Sequence, residues 1–334
     1  MPLIRMPTFH PENIPAAVSA FRPSGEVPVR HSRYFDGGQC RIFRVDFSDG
    51  VSWSVRIPIH FQNHSQDAII CTLQREYDVL LEIGRMDFPW APKCHGISLT
   101  FDTLVGFPFI ILSWIEGSPL FWTSNYPARP IRNKLLCQIA DIQVTLIERT
   151  TETSTATQYF SRLTDNKLRR VRNGEIPGLT EQDCFDLKKH LFEVLNPELE
   201  DAPFAMDHGD LAPLNIIVDP EYNITGIIDW GFASKVPIQL AGRLPRFLQL
   251  SELVLPPSPT LREDRKAYIA SLKSNSSQVA FWMSLIHSSE DVDFRHCVLE
   301  SMISKGMHLS LARLGWTLPY DGSRDSFETE LKKD

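Results

Sequence analysis

The sequence lacks the features that mark disulfide-rich or membrane proteins. It has six cysteines in 334 residues, and none of them forms a C-x-x-C pair, so we interpret them as reduced thiols. Its longest nearly apolar run, Phe107 to Ile115, is far shorter than the ~20 residues that span a bilayer. The first residues show no apolar stretch of the kind found in secretory signals. We therefore expect a cytoplasmic protein without membrane insertion.

An excess of positive charge is also missing. The chain has 34 Lys and Arg residues against 41 Asp and Glu residues, so its formal net charge is −7. A protein that binds nucleic acid through bulk charge is normally basic, and we expect no nucleic-acid partner. Hydrophobic residues make up 43% and charged residues 22%, a balance that excludes a mostly disordered, collagen-like or coiled-coil chain.

The texture of the sequence changes along the chain and predicts an α+β fold. Prolines are dense in residues 1–29, and because proline interrupts helices and sheet ladders we expect a loose arm there. Residues 30–115 are predicted to form a small, β-rich lobe that carries one helix over 66–85. Residues 116–334 are predicted to be mainly helical, with an island of β structure over 204–228.

Two β-hairpins are predicted from alternating apolar and polar residues. In the first, residues 40–47 and 51–57 alternate on either side of the turn Ser48-Asp49-Gly50. In the second, two apolar runs flank the turn over residues 219–223. The first hairpin would supply strands of the small lobe, and the second would interrupt the helical region.

One stretch combines residue types that are suited to phosphate chemistry. It reads His208-Gly-Asp210-Leu-Ala-Pro-Leu-Asn215, and Asp229-Trp-Gly follows the second hairpin. Carboxylate and amide oxygens are hard ligands that suit Mg²⁺. A carboxylate that does not bind the metal could orient a hydroxyl nucleophile and accept its proton. These parts are the ones that phosphoryl transfer from a Mg²⁺–nucleotide requires.

This ordered string, H-G-D-L-x-x-x-N followed by I-I-D-W-G, closely resembles the active site of the aminoglycoside phosphotransferase and choline kinase-like family. The resemblance implies the two-lobed protein-kinase-like fold, with a small antiparallel β-rich N-lobe and a mainly helical C-lobe. It also implies that Asp210 is the catalytic base and that Asn215 and Asp229 hold Mg²⁺. His208 would brace the loop rather than take part in the chemistry.

The small lobe departs further from the kinase pattern. Arg56, on the second strand of the first hairpin, stands where kinases place a basic residue against the nucleotide phosphates. Its expected helix partner is Glu76, with Glu82 as the second choice. Gly37 and Gly38 form a reduced glycine loop whose backbone N–H groups could contact phosphate. The segment that contains Ser113, Trp114 and Ile115 resembles the hinge whose backbone binds adenine.

The resemblance implies an ATP-dependent phosphotransferase that acts on a hydroxyl group of a small-molecule acceptor, with ATP and Mg²⁺ as cofactors. Two alternatives stay open at this point. The thin glycine loop and the arginine at position 56 favour a nucleotide-binding pseudokinase that serves as a scaffold. A protein kinase is disfavoured because the sequence has no A-P-E-like element, and residues 233–237 are too few for a regulated activation loop. The sequence identifies neither the acceptor nor any protein partner.

Overall fold

The computed structural model describes residues 8–22, 25–31, 35–37, 40–59, 65–150, 155–250, 252–287 and 291–319. These residues fold into two compact units. The first unit runs to Leu120 and also includes Leu214–Ala233, and the second comprises Phe121–Pro213 and the residues from Ser234 onward. The predicted second hairpin thus groups with the β-rich part of the chain. The predicted domain limits at 29/30 and 115/116 stay predictions.

The described residues of the first unit form two α-helices and nine strands. In chain order they are α1 Ile14–Ser19, β1 Pro28–His31, β2 Phe35–Asp36, β3 Arg41–Phe47, β4 Ser52–Ile57, α2 Gln66–Arg85, β5 Cys94–Ser98, β6 Phe109–Ser113, β7 Ser118–Pro119, β9 Ile216–Val218 and β10 Ile224–Ile227. The strands of the main sheet are antiparallel and have the order β1-β3-β4-β6-β5. Strand β2 pairs with the first two residues of β3. A smaller antiparallel sheet has the order β10-β9-β7.

The first predicted hairpin is confirmed. Strands β3 and β4 pair from Arg41 opposite Ile57 to Asp46 opposite Ser52, around the turn at Gly50. Alternate residues point to one face, so Phe43, Val45 and Val55 are buried together in the hydrophobic core of the unit. The helix predicted over 66–85 is also confirmed as α2, which begins where the Ser65 side chain accepts a hydrogen bond from the Ala68 N–H.

The prediction of a loose proline-rich arm is wrong for the part of the arm that the structure describes. Helix α1 lies there, and its Ile14 and Val18 are fully buried in the same core as β3 and β4. Pro15 stands in the first turn of the helix. A proline there breaks no hydrogen bond, because the N–H groups of the first turn have no partner within the helix. Burial of two aliphatic side chains therefore holds a segment that its proline content alone would leave extended.

The second unit is mainly helical. Its elements are α3 Arg129–Thr150, α4 Ala156–Arg172, α5 Glu181–Val194, β8 Phe204–Asp207, β11 Ser234–Pro237, α6 Ile238–Ala241, α7 Pro259–Ser274, α8 Gln278–His287, α9 Val292–Ile303 and α10 Lys305–Arg313. The strands β8 and β11 form an antiparallel pair against α3 and α6. The sequence Thr180-Glu-Gln-Asp183 predicts a helix cap, and this prediction is confirmed, since Thr180 and Asp183 form a reciprocal capping box at the start of α5. Within the described residues, no helix is both long and apolar enough to cross a membrane.

Candidate functional site

Arg56 forms the centre of a charged network in the first unit. Its Nη2 donates a hydrogen bond to Oδ1 of Asp229 at 2.6 Å, and its Nη1 lies 3.5 Å from Oε1 of Glu76. Three elements position these groups: Arg56 is on β4, Glu76 is on α2, and Asp229 follows β10. The predicted ion pair between Arg56 and Glu76 is therefore present, and Asp229 is a second partner that the sequence did not indicate.

Burial strengthens the electrostatic interactions between Arg56 and its two acidic partners. The Arg56 and Glu76 residues are 9% and 4% exposed, respectively. Burial acts to lower the pKa of Arg56, but the negative charges of Glu76 and Asp229 outweigh burial, and the pKa is raised. Burial raises the pKa of Glu76, and the nearby Asp229 raises it further. Arg56 is thus a permanent cation held between two carboxylates, an arrangement that fixes the direction of its guanidinium group.

The backbone around Asp229 turns sharply after β10. Asp229 has φ of +64° and ψ of +63°, in the left-handed region that residues with a side chain seldom adopt. The next residue, Trp230, is 1% exposed, and its indole N–H donates to the carbonyl of Ile227 at 2.9 Å. The ring of Trp230 also packs edge-on against Phe88. The buried indole anchors the turn, and the Asp229 side chain stays about one-third exposed, at 34%.

Asn215 and Asp229 are joined through the second hairpin. The N–H of Ile228, the neighbour of Asp229, donates to the backbone carbonyl of Asn215 at 2.9 Å. One carboxylate and one amide oxygen suit Mg²⁺, which binds through few protein oxygens and keeps water and phosphate as its other ligands. No group of three or more His, Cys, Asp and Glu side chains that could hold a metal occurs in the described parts of the chain. The donor types of Asn215 and Asp229 fit Mg²⁺, and their role as its ligands stays a prediction.

The predicted hinge lies at the end of β6. The N–H of Ser113 donates to the carbonyl of Lys93 at 2.8 Å, and the N–H of Trp114 donates to the carbonyl of Ser52 at 3.1 Å. Both amides are thus used by the first unit itself. A contact with adenine would involve the carbonyl oxygens of these residues or the backbone of Ile115, and it stays a prediction.

The glycine pair before β3 is only partly described. The N–H of Gly37 donates to the carbonyl of Cys40 at 2.9 Å, which closes a tight turn. Gly38 lies outside the described residues. Because the Gly37 amide is used within the turn, it is not available to a phosphate, and a phosphate contact from this segment would need other amides.

Asp210 lies in the second unit, in the loop after β8. Its backbone N–H points at Nδ1 of the buried His208, at 3.3 Å. Gly209 has φ of +80°, a conformation that favours glycine, and its N–H donates to Oδ1 of Asp207 at 3.1 Å. The His208 ring thus contacts the backbone of the loop, which agrees with the bracing role that the sequence suggested.

Asp210 has an arginine partner that sequence reasoning missed. Nη1 of Arg246 donates to Oδ1 of Asp210 at 2.7 Å, and the Arg246 side chain is 69% exposed. The N–H of Arg246 also donates to the carbonyl of Leu211, which holds its backbone beside the loop. Nothing in the sequence pattern links position 246 to position 210, because the pairing depends on the course of the chain after α6.

A cavity of about 670 Å³ opens beside Asp210, entirely within the second unit. Such a volume accommodates a drug-sized molecule. A second arginine, Arg243, also lines it: Arg243 lies 3.2 Å from Asp207 and 3.0 Å from Glu300, and it donates to the carbonyl of Gly209 at 3.2 Å. The two arginines thus flank the loop that carries Asp210.

The phosphotransferase enzyme family has a family model that matches residues 70–238, about half of the chain. The match includes the string from His208 to Asn215 and the Asp229-Trp-Gly turn. The chain belongs to the phosphotransferase enzyme family. The resemblance that the sequence motifs suggested is confirmed, and the chain is a phosphotransferase.

Solved structures show that the phosphotransferase has the fold of its family. The streptomycin–ATP–APH(2″)-IIa ternary complex is 14% identical, with 87% of this chain and 92% of that chain covered and a TM-score of 0.54. ADP-bound aminoglycoside phosphotransferase APH(2″)-Ib is 13% identical, with 89% and 95% covered and a TM-score of 0.56. Macrolide 2′-phosphotransferase MphH from Brachybacterium faecium is 12% identical, with 90% and 94% covered and a TM-score of 0.50. A search of curated protein sequences gave no match. The predicted α+β, kinase-like fold class is confirmed.

Proposed function

We propose that this phosphotransferase moves the γ-phosphoryl group of ATP to a hydroxyl group of a small-molecule acceptor. The acceptor oxygen forms the new bond to phosphorus, the bond from phosphorus to the β,γ-bridging oxygen breaks, and ADP leaves. The hydroxyl proton passes to the carboxylate of Asp210, which acts as general base. Positioning and charge stabilisation supply most of the catalysis in such reactions.

The observation that carries the proposal is the position of Arg56 between Glu76 and Asp229. In the kinase mechanism a cation on a strand is paired with a helix glutamate and contacts the phosphates of the nucleotide. Arg56 has the required helix partner, and its fork can bind phosphate bidentately when it exchanges one carboxylate for a nucleotide oxygen. Glu76, which is buried, would keep the guanidinium in place during that exchange.

Mg²⁺ is the cofactor that the donor set of Asn215 and Asp229 supports. The Asp229 carboxylate, which Arg56 contacts through Oδ1, would hold the ion together with Asn215. When bound, the ion would offset the negative charge that develops on the transferred phosphoryl group. The left-handed turn at Asp229 and the anchored ring of Trp230 would hold that carboxylate in a fixed direction.

We expect Asp210 to take part in the same reaction, because it stands five residues before Asn215 in the ordered string. The cavity beside Asp210 would receive the acceptor, and the hydroxyl of the acceptor would meet the Asp210 carboxylate. Asp210 is thus the residue that we expect to orient the nucleophile.

The test uses the purified chain with ATP, Mg²⁺ and a panel of hydroxylated metabolites, and it measures ADP release. Mg–ATP binding is followed separately by calorimetry. We expect binding of Mg–ATP and ADP release that depends on one class of acceptor. Absence of Mg–ATP binding would contradict the proposal. Binding without acceptor-dependent release would instead support the alternative of a nucleotide-binding scaffold.

A further inference from the structure

The charges that line the cavity beside Asp210 are balanced. Four carboxylates reach it, and they are Asp207, Asp210, Asp264 and Glu300. Three guanidinium groups reach it too, and they are Arg132, Arg243 and Arg246. His296 also lines the cavity, and burial together with the charges of nearby arginines lowers its pKa to about 3, so it is neutral at pH 7. The lining therefore carries a formal charge close to −1.

Each of these carboxylates already has an arginine partner. Arg243 bridges Asp207 and Glu300, as described above, and Arg246 holds Asp210. Asp264, which is 1% exposed, pairs with Arg132 and also with Arg129, whose Nη1 lies 2.6 Å from its Oδ1. An ammonium group that entered the cavity would have to share these carboxylates with the arginines and would lie beside them. Like charges at that separation repel each other.

The aromatic surface of the cavity is occupied in the same way. The guanidinium carbon of Arg132 lies 4.0 Å from the ring centroid of Trp122, so one face of the indole already stacks on a cation. The ring of Phe247 packs against Trp122, with 4.9 Å between the centroids. The side chains that most often bind ammonium groups, carboxylates and a tryptophan face, are thus engaged with arginines.

We propose that the acceptor is a neutral or anionic hydroxylated molecule rather than a polyamine, and that Arg246 is a specificity-determining residue for this choice. The inference rests on the proposed function, since it treats the cavity as the acceptor site. Arg246 is the most exposed of the three arginines named above, and it contacts the carboxylate that acts as base in the proposed reaction. An acidic group on the acceptor could accept hydrogen bonds from the same guanidinium.

Binding of polycations tests the proposal without knowledge of the acceptor. Gentamicin and streptomycin are titrated by calorimetry into the protein with and without Mg–ATP, at 150 mM salt. We expect no saturable binding below about 1 mM for the wild type, and at least tenfold tighter binding for Arg246→Glu. Arg170→Glu, which also reverses an exposed, ion-paired arginine of this unit, is the matched control and should behave like the wild type.

Each outcome decides the question. Micromolar binding of either polycation to the wild type, lost in Asp210→Asn, would overturn the proposal. Failure of Arg246→Glu to gain affinity would overturn the role of Arg246. Turnover is also compared for gluconate, glucose and glucosamine, a matched set of one anionic, one neutral and one cationic acceptor. A preference for glucosamine would also contradict the proposal. Absence of Mg–ATP binding would instead overturn the proposed function. The titrations without Mg–ATP would still measure whether polycations bind to the cavity.

Discussion

Arg56 donates a hydrogen bond to Asp229 at 2.6 Å although the two residues are 173 positions apart in the sequence. The contact joins β4 to the turn that follows β10, so it ties the proposed phosphate-binding cation directly to the proposed metal ligand. A change at one of these residues should therefore alter the function of the other. This coupling supports the first two predictions.

Arg56→Lys should weaken Mg–ATP binding while the fold persists. A lysine keeps the charge but cannot serve Glu76 and Asp229 with separate nitrogens of a planar fork. Loss of a charged hydrogen bond of about 1.5–3 kcal/mol corresponds to an increase of roughly tenfold to a hundredfold in the Kd for Mg–ATP. Calorimetry measures this, with Arg75→Lys on the exposed side of α2 as the control. An unchanged Kd would remove Arg56 from the nucleotide site.

Glu76→Gln should reduce both stability and nucleotide affinity. Glu76 is 4% exposed, and the substitution leaves Arg56 with one charged partner in a buried setting, which costs about 2–3 kcal/mol. The free energy of unfolding in urea measures the loss. Glu82→Gln on the same helix changes the residue that the sequence suggested second, and we expect an effect below about 0.5 kcal/mol. Equal effects of the two substitutions would contradict the pairing.

Gly117→Ala should destabilise the small sheet that carries Asn215. A Cβ at this position would lie 2.5 Å from the carbonyl oxygen of Val218 on β9, and φ is +130°. We expect a loss of at least about 2 kcal/mol. Gly50→Ala is the matched control, because Gly50 also has a positive φ, of +85°, but a Cβ there meets nothing within 4 Å. It should cost only the backbone strain of about 1 kcal/mol.

Stability should fall as the solution becomes more acidic than pH 6.5. Burial lowers the pKa of His287 and His296 to about 3 and that of His308 to about 4. The folded state keeps these rings neutral, whereas the unfolded chain protonates them near pH 6.5. The contribution of these rings to the free energy of unfolding is therefore complete above pH 6.5. It is lost as the pH falls towards 4, by about 1.4 kcal/mol per pH unit for each ring.

Urea unfolding at pH 7.5, 6.0 and 5.0 measures this dependence. His308→Gln retains a donor for the carbonyl of Asp183, which the His308 Nε2 contacts at 3.0 Å, but it removes the titrating group. We expect the slope against pH to become shallower by about 1.4 kcal/mol per pH unit in this variant. A slope equal to that of the wild type would show that His308 is not a buried neutral ring.

Local patterns in the sequence were sufficient for much of the fold. Alternation around Gly50 predicted β3 and β4, helical spacing predicted α2, and the Thr180 motif predicted the start of α5. Each depends on contacts within a few residues, which the sequence displays directly. The proline-rich segment failed because its structure depends on burial of Ile14 and Val18 against strands that lie elsewhere in the chain.

The candidate site divides in the same manner. The residue types and the spacing of the ordered string from His208 to Asp229 can be recognised without coordinates. The resemblance to kinases also predicted that Arg56 on a strand pairs with Glu76 on a helix. The partners of these groups cannot be read in that way. Arg246 lies 36 residues after Asp210, and only the path of the chain places it on that carboxylate. The amide bonds of Ser113 and Gly37 likewise depend on neighbours that no motif specifies.

The central claim is that Asp210 acts on the acceptor whereas Asp229 acts on the nucleotide and its metal. The most direct measurement compares Asp210→Asn with Asp229→Asn, by acceptor-dependent ADP release and by the Kd for Mg–ATP. We predict that Asp210→Asn abolishes release and leaves the Kd within about twofold of the wild type, and that Asp229→Asn weakens Mg–ATP binding at least tenfold. Turnover by Asp210→Asn at the wild-type rate would contradict the account.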